Sequence, residues 1–350
     1  MRAHRLFGHV LLAALLALSN SIAPSAQDSK RNVNGTIWVA NRGADSIQGF
    51  DAGDGTVVST IAMRTGSQPG DLAYANGKLY VAEERATPPA VAIVDTVSAA
   101  VVKRLFFANG SRPHHVHATA SGGLVAVGLY GTDRLAVIET ENDTPLGEWD
   151  SDPSTTNGRV HAGVFSQDGE TVYLLNDATG KLIAMAPRTG TVLWTMDVPG
   201  AHEMVVAHDN KTAYVSRRPL NQLALVDLET HTYQDVLAIG LPDTLRLSAN
   251  EKLLTIGLRT SPAQLAVVDT ESLGGPGAAK VTLVDLAPAG SGTTTGGHQW
   301  TTPNGQYTFA SYEGALSAGL VVVDHRNGSH VVQRLPYAGA PHGVTHALPQ

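Results

Sequence analysis

The chain has 350 residues, a formal net charge of −7 and 16% charged side chains, ordinary for a globular protein, with no basic stripe to attract nucleic acid. It has no cysteine, which excludes disulfides, thiolate ligands, a thiol nucleophile and covalent Cys-x-x-Cys-His haem attachment. Its 36 glycines and 18 prolines imply many turns.

The chain opens with a short basic head, Arg2, His4 and Arg5. The apolar run Val10 to Leu18 follows, too short to span a bilayer, and then the small residues Ala23, Ser25 and Ala26. This pattern predicts a signal peptide over residues 1–26 and a periplasmic or secreted protein with no transmembrane segment in its mature form.

From residue 33 to residue 350 one phrase recurs: an apolar strand, a polar turn, then an alternating strand ending in Asp or a substitute. Thr36 to Ala40 leads to Ser46 to Phe50, and Leu79 to Ala82 leads to Val91 to Val94. Leu124 to Val127 leads to Leu135 to Ile138, and Val172 to Leu175 leads to Lys181 to Met185. Ala213 to Val215 leads to Leu223 to Val226, Leu253 to Ile256 to Leu265 to Val268, and Tyr307 to Ala310 to Leu320 to Val323. Seven copies at a period of about 40–55 residues suit four strands per unit. Alternating β-branched residues between Gly, Asn and Asp turns favour strands throughout. The expected fold is all-β: one seven-bladed β-propeller over 33–350, with four antiparallel strands per blade. The first unit lacks an inner strand, and an orphan one, Pro341 to His346, ends the chain. The C-terminal strand is therefore expected to join the first blade and close the ring, leaving no free edge.

Tyr80-Val81-Ala82, Ser166-Gln167-Asp168-Gly169, Val94-Asp95-Thr96 and Pro341-His342-Gly343-Val344 resemble the bacterial YVTN-repeat (YncE-like) propellers over nearly the whole mature chain. That resemblance implies the fold; the family is functionally mixed. Two departures stand out: Pro187 replaces the strand-end Asp of the fourth blade, and the sixth blade carries an insertion.

Aligning the inner strands on their turns brings one position into register. His114, His161, His202 and Asp243 lie eight residues before Gly122, Gly169, Asn210 and Glu251. His298 and Gly70 sit one residue closer to their turns, and His342 takes the slot in the last strand. Five of seven corners are thus histidine in a chain with 14 His in 350 residues, far above chance. Inner strands converge on a propeller's axis, so these side chains are expected to face one another around the channel mouth.

Converging imidazoles are a metal-site arrangement. The expected ligands are His114, His161, His202, His298 and His342, with Asp243 as a ligand or as an orienting group. Without thiolates, copper, iron or zinc is the expected ion. His161 and His298, with Arg217 and Arg259, are the candidate catalytic residues. The rim is expected to include Asn41, Glu83, Glu84, Tyr130, Asn176, Tyr312 and Glu313. His115 and His117 either join the site or point into blade packing, and His346 could line the channel below His342. Two long corners, Asp150 to Val160 and Ala287 to Gly297, are candidate lids or slack loop.

No phosphate-binding Gly loop, no Gly-x-Ser-x-Gly elbow and no Cys-x-x-Cys-His occurs, so neither a nucleotide nor haem is expected. The leading reading is an exported metalloprotein acting on a small molecule, either an oxidoreductase or a metal-assisted hydrolase or lyase of lactone type. Lactonases, eliminating lyases and the multi-histidine copper domain of nitrous oxide reductase look related at the level of fold alone. Two alternatives stand beside it. One is a non-catalytic binding or scaffold propeller whose corner histidines cap backbone amides, as in WD repeats. The other is a metal-free hydrolase or lyase with His as base and Arg217 or Arg259 as electrophile. A monomer is expected.

Overall fold

The computed structural model describes residues 30–152, 159–335, 337 and 339–348. The expected signal peptide and residues 153–158 of the corner before His161 lie outside these. Among the described residues, 28 strands form seven four-stranded antiparallel sheets.

The inner strands are β4 (Pro69–Ala75), β8 (Pro113–Ala118), β12 (Val160–Phe165), β16 (Glu203–Val206), β20 (Pro242–Leu247), β24 (Thr294–Thr301) and β28 (Pro341–Ala347). Each packs against the next, and β28 packs against β4, so the ring is closed. β28 pairs antiparallel with β1 (Thr36–Asn41), which continues into β2 (Ser46–Asp51) and β3 (Val57–Ala62). The first blade is therefore sewn from both ends of the chain, as expected.

The pattern of each strand follows from its place in the blade. The second strand of the third blade, β9 (Leu124–Leu129), reads Leu-Val-Ala-Val-Gly-Leu and is buried throughout. It has blades on both faces, so an unbroken apolar run suits it better than alternation. The outer strand β15 (Thr191–Asp197) is exposed apart from half-buried Trp194 and Met196, which alternate with exposed positions. The cores lie between blades. Ile37, Phe50, Phe309, Leu320 and Val344 pack together where the last blade meets the first. The seal is thus apolar as well as hydrogen-bonded.

The turns used to align the inner strands are what the register needed. Gly122, Gly169, Asn210, Glu251 and Gly305 all have positive φ, between 56° and 77°. Gly77 closes the second blade's turn with φ 77°. The sixth-blade insertion follows β22 (Gln264–Asp269), beginning with a short 3-10 turn at Thr270–Ser272, and leads to β23 (Val281–Asp285). Antiparallel order puts it on the face opposite the corner histidines. No helix among the described residues is long and apolar enough to cross a membrane.

Candidate metal centre

All the inner strands except β16 enter the sheet through an irregularity. Register shifts fall between Pro69 and Leu72, Pro113 and Val116, Val160 and Ala162, Pro242 and Leu245, and Gly296 and Gln299. A regular strand alternates its side chains, so only one of two consecutive residues would face the axis. A bulge re-aims one of them. Here His114 and His115 both line the mouth cavity. Beyond the bulge the period of two resumes, and His117 lies on the same side as His115, their rings 6.2 Å apart and 13° from parallel. Glycines make room for these entries. A Cβ at Gly128 would come within 2.7 Å of the His161 carbonyl oxygen.

The corner histidines converge as expected. His114, His161, His202, His298 and His342, with Asp243, line one cavity of about 580 Å³. Ring centroids are 4.9 Å apart for His114–His161, 3.9 Å for His161–His202 and 4.4 Å for His298–His342. His115 joins them, 4.2 Å from His161 and 4.7 Å from His298. The Gly70 slot leaves space that the Arg42 guanidinium and the Glu84 carboxylate occupy.

A second ring surrounds the first. The residue after each second strand's last paired residue is Arg42, Glu84, Tyr130, Asp177, Arg218, Arg259 or Glu313. Several of these sit on the corner residue of the next blade. Glu84 Oε2 lies 3.4 Å from His114 Nδ1, Asp177 Oδ1 3.1 Å from His202 Nδ1, and Glu313 Oε1 3.7 Å from His342 Nδ1. Arg218 meets Asp243 at 2.6 Å. A carboxylate facing Nδ1 favours the tautomer that leaves Nε2 as the electron-pair donor, the arrangement found behind metal-bound histidines. Arg42, Arg112, Arg159, Arg218 and Arg259 all line the cavity.

Arg217 is not part of this site. It is the last paired residue of β17 (Thr212–Arg217), and alternation turns it outward. Its guanidinium donates to Asp235 at 2.6 Å and to the Pro199 carbonyl at 2.8 Å. Arg218, one residue on, holds the place expected for it. Glu83 is likewise buried in ion pairs with Arg64 and Arg104, while Glu84 faces His114. His346 turns from the channel and bonds the Asn34 carbonyl. Asp243 lies between His202, at 2.8 Å, and Arg218, which suits an orienting role.

The electrostatics divide the histidines. Burial drives His115, His161 and His342 well below the usual imidazole range, and neighbouring charges add to it. Burial also lowers His114 against the pull of Glu84. Neutral imidazoles offer lone pairs. His202 behaves differently. Burial opposes its charge, but hydrogen bonds to Asp177 and Asp243 outweigh that and raise it to about 9. Both its nitrogens face carboxylates, so it is an imidazolium tie between blades unless an ion displaces its proton.

Among the described residues, three groups of side chains bring donor atoms within 4.8 Å of one another: His114–His115–His161, Asp71–His115–His117 and His161–Asp177–His202. Nδ1 of His115, His161 and His298 is buried without a hydrogen-bond partner. Native interiors leave few such atoms, so their gathering at one cavity fits a site for a bound ion.

Fold comparison gives the same architecture. The periplasmic gluconolactonase PpgL of Pseudomonas aeruginosa matches with a TM-score of 0.67 at 16% identity, covering 90% of this chain and 99% of that chain. Kuenenia stuttgartiensis hydrazine synthase matches at 0.68 and 15%, covering 86% and 99%. A functionally unknown protein from Desulfotomaculum acetoxidans matches at 0.70 and 13%, covering 91% and 100%. No protein-family model and no curated protein matches the chain. At these identities the likeness establishes the fold alone. The molecule is a seven-bladed propeller with a histidine-lined mouth.

Proposed function

We propose that this is an exported metalloprotein that holds a transition-metal ion with His114, His115 and His161 at the propeller mouth and acts there on a small molecule. The convergence of three mostly uncharged imidazoles within ligand reach carries the reading. An all-nitrogen set without thiolate suits copper, zinc or iron. When bound, such an ion supplies Lewis acidity or redox chemistry.

The chain's own residues supply the rest. Glu84 orients His114 and is held ionised: burial works against it, but His114, Arg42 and Arg112 keep it well below the usual carboxylate range. Tyr130 lies under the guanidinium groups of Arg112 and Arg159, 5.1 and 5.7 Å from its ring centre. Arg159 is exposed and has no ion pair among the described residues. It is the cation best placed to draw an anionic small molecule, such as a carboxylate, into the cavity. One observation favours a structural role for one corner: His202 is tied on both sides by carboxylates.

Elemental analysis of the mature protein, purified without a His tag after metal supplementation, tests the proposal. At least one equivalent of copper, iron or zinc is expected, and one equivalent fewer in a His114→Asn/His161→Asn variant. A folded wild-type protein that binds no metal after loading refutes it.

A further inference from the structure

One step below the corner ring, the channel-facing layer is uneven. On one side Thr244 and Gln299 satisfy each other. Thr244 Oγ1 donates to Gln299 Oε1 at 2.5 Å, and Gln299 Nε2 donates to the carbonyls of Thr244 and Thr255 at 3.0 and 3.1 Å. The other side holds Asp71, His115 and Glu203, all buried. Asp71 Oδ2 accepts the Val116 N–H at 3.1 Å. Both Glu203 oxygens and His115 Nδ1 lack partners, as does Nε2 of His117 one step deeper.

These atoms face one another at a particular spacing. His115 Nδ1 is 3.3 Å from Glu203 Oε2 and 3.5 Å from Asp71 Oδ2, and His117 Nε2 is 3.7 Å from Glu203 Oε1. A charge-assisted hydrogen bond would draw such pairs to about 2.8 Å. Two ligands of one tetrahedral ion, each with a bond of about 2.1 Å, stand about 3.4 Å apart. The two His115 spacings match the second case and, unlike the rim pairs Glu84–His114 and Glu313–His342, bring two carboxylates onto one nitrogen; donor atoms of Asp71, His115 and His117 lie within 4.8 Å of one another. Gly343 helps to hold Asp71 in place, since a Cβ there would strike the Asp71 carboxylate.

We propose that Asp71, His115, His117 and Glu203 form a second cation site, in the middle of the channel and below the mouth. Its two carboxylates and two imidazoles suit a borderline divalent ion such as Zn(II) or Fe(II), and the carboxylates balance the ion's charge. His115 belongs to both sites and serves two ions at once only as an imidazolate; the sites adjoin, with Glu203 Oε2 3.7 Å from His161 Nδ1 and Asp71 Oδ1 3.3 Å from His298 Nδ1. His117 also lines a second cavity of about 290 Å³, bounded by Arg246, Trp300 and Thr345. His117 thus stands between the proposed site and this cavity.

The test is a count of Zn(II) bound by full-length protein after stripping with chelator and reloading. Wild type is expected to bind two equivalents, and His117→Asn and Glu203→Gln one each. A His114→Asn/His161→Asn variant is expected to keep the channel ion. If His117→Asn and Glu203→Gln, shown to be folded by circular dichroism, both bind as much zinc as wild type, the second site is refuted while the mouth site stands. Zinc retained in the double variant but lost in these two refutes the mouth site instead. A Zn-edge anomalous map of loaded wild-type crystals needs no variant. A peak between Asp71 and Glu203 supports the site, and empty density there overturns it.

Discussion

His202 offers a measurement whose size follows from its surroundings. Its imidazole is buried and lies between Asp177, 3.1 Å from Nδ1, and Asp243, 2.8 Å from Nε2. Folding therefore favours its protonated form, despite the cost of burial, and raises it from 6.5 to about 9. The folded state holds this proton more tightly than the unfolded state, so the stabilisation is complete below pH 6.5. It is lost as pH rises through 9. The difference between 6.5 and about 9 corresponds to about 3 kcal/mol at full effect. Glu203, which burial pushes up to about 8, contributes in the same direction, so only comparison with a variant isolates His202. Urea unfolding of metal-free wild type and His202→Gln at pH 6 and pH 10, with chelator present, provides that comparison. Wild type is expected to lose about 3 kcal/mol more than the variant between the two pH values. Matching losses in the two proteins, or a His202 imidazole titrating at or below 6.5 by NMR, would refute the clamp.

Glu84→Gln removes the carboxylate facing His114 Nδ1, and metal affinity at the mouth is expected to fall by about 10–100-fold in a competitive chelator titration. Arg218→Ala and Arg217→Ala separate neighbouring arginines. Only the first is expected to weaken binding of a small carboxylate to the loaded protein by calorimetry, while the second acts on stability through Asp235. Gly128→Ala is far from any ligand atom in sequence, yet its Cβ would press on the His161 carbonyl. Metal loading is expected to drop, with a loss of about 1–3 kcal/mol in urea unfolding. Phe309→Ala at the seal between the last and first blades is expected to cost about 3–5 kcal/mol, read as a lower Tm, because the ring is held there by apolar packing.

The architecture was legible because it repeats. An apolar strand buried on both faces needs an unbroken run such as Leu124 to Leu129, and seven such runs with marked ends reveal seven blades. The orphan strand Pro341–Ala347 was legible for a related reason: a ring must close, and the first blade began one strand short. The signal segment rests on composition and lies beyond the described residues.

The site was legible only as far as its register is regular. The corner histidines share an offset from a turn whose φ is positive in blade after blade, so counting residues placed them together. Counting failed where the backbone breaks period. Strict alternation allows either His114 or His115 to face the axis, and the entry bulge lets both do so. The same bulge brings in Asp71, and Glu203 likewise faces the axis one residue past its corner. A usable signal was present: the residue after the corner is polar in Gly70-Asp71, His114-His115 and His202-Glu203. Arg217 failed by the same single step in the opposite sense. Its strand holds period to its last pair, so the rim begins at Arg218. Asp177 is the rim member of the fourth blade and was masked by Asn176 before it. In a fold built by repetition, a one-residue offset shared by all the blades turns a ring of ligands into a ring of structural ties. The entry bulges, which no residue count reveals, decide which of the two this channel presents.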